Sequence, residues 1–103
     1  MHQVILTIVE KGRGEAVIDA AVKAGSHGGS IINARGSGVH ETASLFGFSV
    51  EPEKELVLIL AEDTRVRDIV AQISTDLRLD EPGNGIVFVQ DLARVRGLYQ
   101  ANG

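Results

Sequence analysis

Leu56-Val57-Leu58-Ile59-Leu60-Ala61, followed by Glu62-Asp63-Thr64 and then by Val66, Ile69, Val70, Ile73 and Leu77, is the stretch that decides the fold. An apolar run of this length is too short for an ordinary helix and reads as a strand. The apolar positions after it recur at helical spacing, and Asp63 or Thr64 is suited to cap that helix. Glu81-Pro82-Gly83-Asn84-Gly85 then forms a turn before a further strand at residues 86–89. Upstream, the same order has already been written once. Residues 4–9 are a β-branched apolar run that stops at Glu10-Lys11-Gly12. Residues 15–24 turn helical, with Val17, Ala20, Ala21 and Ala24 on one face and Gly25 placed to end the helix. Residues 26–29 are a loop, and residues 30–35 a second strand.

A β-α-β unit written twice predicts an α+β fold: a ferredoxin-like split β-α-β sandwich, with an antiparallel four-stranded sheet and two helices on one face. The 103 residues make a single domain. Between the halves, residues 37–54 have no clear period and read as a protruding loop, a length that is uncommon unless functional. The strands carry a second inference. In such a fold one sheet face meets the helices and the other should alternate to polar. Here Val4-Ile5-Leu6 and the run from Leu56 to Leu60 are apolar on both faces. Two short helices cannot cover both, so the open face is expected to pack against other copies of the chain.

Composition narrows the function classes. With 44% hydrophobic and 23% charged residues, the chain reads as soluble, without a membrane span or a leader peptide, and a cytoplasmic location is the expectation. The absence of cysteine excludes disulfides, thiolate metal sites and cysteine nucleophiles. A formal charge of -4 and 4% aromatics argue against a nucleic-acid surface. His2, His27 and His40 are scattered, and Ser37 and Ser44 have no histidine near them in sequence, so no catalytic constellation stands out. Gly12-Arg13-Gly14 lacks the third glycine of a dinucleotide fingerprint, Val17 standing there, and reads as a strand-to-helix turn. The stronger signal is a pair of glycine-flanked loops at matching positions of the near-repeat, Arg35-Gly36-Ser37-Gly38 and Pro82-Gly83-Asn84-Gly85. Glycine lets backbone N–H groups approach an anion closely, so these loops are candidates for one small anionic ligand.

Taken in order, Gly28-Gly29-Ser30, Arg35-Gly36-Ser37-Gly38, the strand from Leu56 to Ala61, and Gly83-Asn84-Gly85-Ile86-Val87-Phe88-Val89 before Asp91-Leu92-Ala93-Arg94-Val95 resemble the P-II signalling family. The resemblance implies a non-catalytic regulator: a homotrimer of ferredoxin-like subunits that binds ADP, ATP or AMP between subunits and controls a transporter or metabolic enzyme through a T-loop, here residues 37–54. It implies ligand contacts at Ser30, Gly36, Ser37, Gly38, Leu60, Gly83, Asn84 and Gly85, with no cofactor required. The chain departs from the family at four places: Ile86 replaces a phosphate-gripping lysine, Asn84 an aspartate, and Gly97 and Tyr99 two arginines. The loop is also shorter than a typical T-loop. Arg35, Arg94 and Arg96 are candidates to restore the lost charge. The alternative is a CutA-like trimeric structural or metal-tolerance protein that does not bind nucleotides. A small ferredoxin-like enzyme is a third reading, and it would require a perturbed acid or base in a cleft.

Overall fold

Hydrogen-bonded neighbours on both sides carry β1 (His2–Glu10) beyond the apolar run that announces it. The computed structural model describes residues 1–36, 43–45, 48–50 and 52–98. After β1 come α1 (Gly14–Lys23), β2 (Ser30–Arg35), the short strands β3 (Ala43–Leu45) and β4 (Phe48–Val50), β5 (Glu53–Glu62), α2 (Asp63–Asp76) and β6 (Ile86–Asp91). The main sheet has the order β2-β5-β1-β6, and every neighbouring pair is antiparallel. This is the predicted split β-α-β arrangement, with the strands joined by each helix separated by one intervening strand.

Register divides the residues cleanly between the two faces, because side chains alternate along a strand. Ile5 and Val9 of β1 and Val57, Ile59 and Ala61 of β5 point to the helices and are buried. They form one core with Val17, Ala20 and Ala21 of α1, Val66, Ile69 and Ile73 of α2, and Leu77. The even-numbered residues form the other face: Val4, Leu6 and Ile8, Leu56, Leu58 and Leu60, Ile32, and Ile86 and Phe88. No described helix lies over them. Ile86 is 55% exposed, Ile32 44%, Phe88 43% and Leu60 40%.

Both helices end in the same device. Gly25, at φ +102°, follows the Ala24 cap; its N–H donates to Val22 O and that of Ser26 to Ala21 O, the paired bonds of a Schellman motif. At the end of α2 the N–H groups of Arg78 and Leu79 donate to Thr75 O and Ser74 O in the same way, with Arg78 at φ +53°. The start of α2 differs from expectation. Its cap is Glu62, in extended conformation and without a side-chain capping bond, rather than Asp63 or Thr64. The Asp63 N–H instead donates to Met1 O, and the Glu62 carboxylate meets the N-terminal ammonium at 3.4 Å and His2 Nε2 at 3.3 Å. The start of β1 and the end of β5, brought together by the sheet, have replaced a local cap.

The Gly12-Arg13-Gly14 turn is structural, as its spacing suggests. Gly12 sits at φ +94°, the Gly14 N–H donates to Glu55 Oε1 at 2.8 Å, and Arg13 Nη2 reaches Leu77 O at 3.4 Å. A carboxylate of this chain therefore occupies the N-terminus of α1, where an anion would otherwise sit. Within the 37–54 stretch, β3 and β4 pair as a two-stranded antiparallel hairpin and β5 already begins at Glu53. Three-residue strands are too short to reveal a period, so the sequence reads there as plain loop.

Candidate anion-binding site

The two glycine loops follow β2 and precede β6, the opposite edges of the sheet. Antiparallel pairing puts both at the same end, where β1 finishes and β5 begins. Between them lies a trough of about 490 Å³, within the range of small-molecule sites. Arg35 and Gly36 stand on one side, Gly83, Gly85 and Ile86 on the other, and Ile8, Glu10, Lys54 and Leu56 form the floor. Three strand-to-strand spacings make the trough roughly 14 Å across.

Local chemistry explains the shape of each wall. Gly83 at φ +85° and Gly85 at φ +135° adopt backbone conformations that side chains resist. Gly85 also passes so close to β1 that a Cβ there would lie 2.6 Å from Ile8 O. Asn84 acts within the turn: its Nδ2 donates to Arg78 O at 3.0 Å and to Glu81 Oε2 at 3.4 Å, and its N–H donates to Glu81 O. On the facing side, the Gly36 N–H donates to Pro52 O at 3.1 Å and so closes the base of the 37–54 segment. Among the described residues of the two loops, Gly83 and Gly85 keep N–H groups without a backbone acceptor. Gly36 leaves open space, since a Cβ there would meet nothing within 4 Å.

A smaller notch of about 300 Å³ adjoins the trough and shares Ala34, Arg35 and Lys54 with it. Lys11 and Glu53 border it, paired at 2.9 Å. The hydrogen bond from Lys11, and next its charge, hold the Glu53 carboxyl below its ordinary value, while Glu53 raises Lys11.

Of the residues picked out by sequence, the structure gathers Arg35, Gly36, Gly83 and Gly85 on the trough, with Asn84 bracing its turn. Ser37 and Gly38 lie outside the described residues. Ser30 and Leu60 occupy the same sheet face but nearer its other end: Ser30 pairs with Leu58, and Leu60 with Val4. Arg35 lies five positions beyond Ser30 along β2, roughly 17 Å of extended chain. Arg94 and Arg96 follow the far end of β6, beyond the bond from Leu92 N–H to His2 O, and do not line the trough. Arg65 packs its guanidinium over Gly25 at the end of α1, where a cation complements the helix dipole. Lys54 was missed. Read as the last residue of a loop, it occupies an even position ahead of Leu56, Leu58 and Leu60, and that alternation is the signal that would have found it.

An antiparallel sheet in this order, two helices on one face and a ligand-sized trough walled by glycine turns define a ferredoxin-like α+β protein with a small-molecule-sized cleft at one end of its sheet. The family model of the nitrogen regulatory protein P-II matches residues 2–101, and the chain belongs to the P-II family. That membership makes it a regulatory signalling protein. No match was found among curated proteins. No helix among the described residues is long and apolar enough to cross a membrane.

Proposed function

We propose that this protein is a non-catalytic regulator that binds an adenine nucleotide, or another small anion, in the trough between subunits of a homotrimer. Occupancy of the site biases the conformation of the 37–54 segment, and that segment engages a partner transporter or metabolic enzyme. The observation that carries the reading is the convergence of Arg35, Gly36, Gly83 and Gly85 on one trough from opposite edges of the sheet. The open apolar face supports the trimer, since several of its large side chains are two-fifths exposed or more. It continues directly into the floor of the trough through Ile8 and Leu56, so a second copy seated on that face would border the ligand. The spread of the family-implied contacts supports the same arrangement. Ser30 and Leu60 lie too far along the sheet to touch a small anion held by Arg35 within one subunit. For the ligand to switch the protein, it must bind two states of the segment with different affinity.

The test is calorimetry with AMP, ADP, ATP, cyclic nucleotides and bicarbonate. The reading expects saturable binding of at least one of them, weakened by Arg35→Ala; no response to any ligand overturns it. If Arg35→Ala binds as tightly as the parent chain, Arg35 has no part in the site.

A further inference from the structure

The glycine wall of the trough has an acid beside it. Glu10 ends β1 on the same sheet face as Ile8 and lines the trough with an exposed side chain. Among the described residues no ion pair engages its carboxylate. Ile8 pairs with Ile86 across β1 and β6. Glu10, two positions on, and Gly85, one position back, therefore stand at neighbouring strand ends, their backbones roughly 5–6 Å apart. Gly83 and Gly85 keep N–H groups without a backbone acceptor, so open donors and an open carboxylate lie side by side. The other charged lining residues are placed elsewhere. Lys54 faces Glu10 in register, but from β5, on the side of β1 away from Gly85, and Arg35 belongs to the far edge of the sheet. The surface between the walls is apolar, made by Ile8, Leu56 and Ile86, the last of them 55% exposed.

We propose that the ligand of this wall is a zwitterionic amino acid with an apolar side chain. Its carboxylate takes the N–H groups of Gly83 and Gly85, its ammonium takes Glu10, and its side chain lies across Ile86, Ile8 and Leu56. The inference rests on the anion-binding reading above, and it picks the small anion over the nucleotide. Charge decides between them. A multiply charged phosphate against the glycine amides would sit beside the Glu10 carboxylate, and like charges so close repel. An amino acid joins its ammonium and carboxylate through a single carbon, so both reach their partners at once, each in a charge-assisted bond. From Gly85 across β1 to Leu56 on β5 is two strand spacings, roughly 10 Å, enough for a side chain the size of leucine.

Calorimetry of the full chain with leucine, with isocaproate, which lacks the ammonium, and with leucinamide, which lacks the carboxylate, tests each contact. The parent is expected to bind leucine, and to bind either analogue about ten- to hundredfold more weakly, the equivalent of one charge-assisted contact. Glu10→Gln should weaken leucine by the same factor and leave isocaproate unchanged, because only the ammonium meets Glu10. Isocaproate binding the parent as tightly as leucine, or leucine binding unchanged in Glu10→Gln, would overturn the role of Glu10 while leaving the anion site standing. Leucinamide binding as tightly as leucine would overturn the carboxylate contact. A parent chain that binds a nucleotide or bicarbonate but not leucine overturns the inference alone. One that binds none of them overturns the inference together with the reading on which it rests.

Discussion

Among the described residues, Arg78 has a positive φ and Thr7 a buried hydroxyl without a partner, and each gives a stability prediction. Arg78 occupies the left-handed position that ends α2, the position Gly25 fills after α1. Its side chain gains little in return, a 3.9 Å contact with exposed Glu81, and its carbonyl, which accepts from Asn84, survives substitution. Arg78→Gly should therefore stabilise the protein by about 0.5–1 kcal/mol, read as a higher denaturation midpoint with unchanged slope. Thr7 lies fully buried between Val57 and Val87 in the register of β1, and its Oγ1 has no hydrogen-bond partner among the described residues. An unsatisfied buried hydroxyl costs about 1–3 kcal/mol, so Thr7→Val should stabilise the protein by about 1 kcal/mol or more. A destabilised valine variant would mean that the hydroxyl has a partner in solution.

At the scale of elements, the ends of strands and helices are held by side chains far apart in sequence. Glu55 of β5 meets the start of α1, Arg13 meets the end of α2, and Lys23 bonds Asp76 at 3.1 Å. Lys11 and Glu53 tie the end of β1 to the start of β5 beside the trough. The lowered Glu53 contributes stability that is complete above the ordinary carboxylate pKa and is lost as pH falls through its folded value. The raised Lys11 contributes stability that is complete below the ordinary lysine pKa and is lost as pH rises through its folded value. Both groups are exposed, so the effect is small and screened by salt. Lys11→Met should accordingly lower stability slightly at neutral pH and leave it unchanged at a pH low enough to protonate Glu53, and high salt should erase the difference in urea titrations. A difference that persists in acid would assign the effect to packing.

At the scale of the whole molecule, the unfinished feature is the apolar face opposite the helices. If it is covered by other copies, as proposed, the chain of 11.0 kDa should elute at three times that mass, with a charge on the face dispersing the assembly. Phe88→Glu is the variant to use, because Phe88 is 43% exposed in the single chain and outside the helix-facing core. It should remain folded by circular dichroism, run as a monomer in light scattering, and lose ligand binding along with assembly. A parent chain that is monomeric at micromolar concentration would overturn the trimer.

Much of this was legible in the sequence because it is set locally. Short apolar runs and helical spacing announced the four sheet strands and both helices, Gly25 announced the end of α1, and apolar residues on both strand faces announced an exposed sheet surface. The glycines at 83 and 85 were readable for the same reason, since positive φ is a property of the residue itself. Other features needed the third dimension. Glu62 caps α2 because the sheet brings Met1 and His2 beside it; Gly36 and Asn84 lose their amides to Pro52 and Glu81; and Arg94 and Arg96 fall at the wrong end of β6. Lys54 joins the trough only through pairing, because register puts it across from Glu10 and inward of Arg35. The sequence by itself determined the elements, the two faces and the glycine turns, all of which follow from local spacing and backbone freedom. Which charges and amides meet at one place was decided by the tertiary structure alone, because strand register joins residues that are remote along the chain.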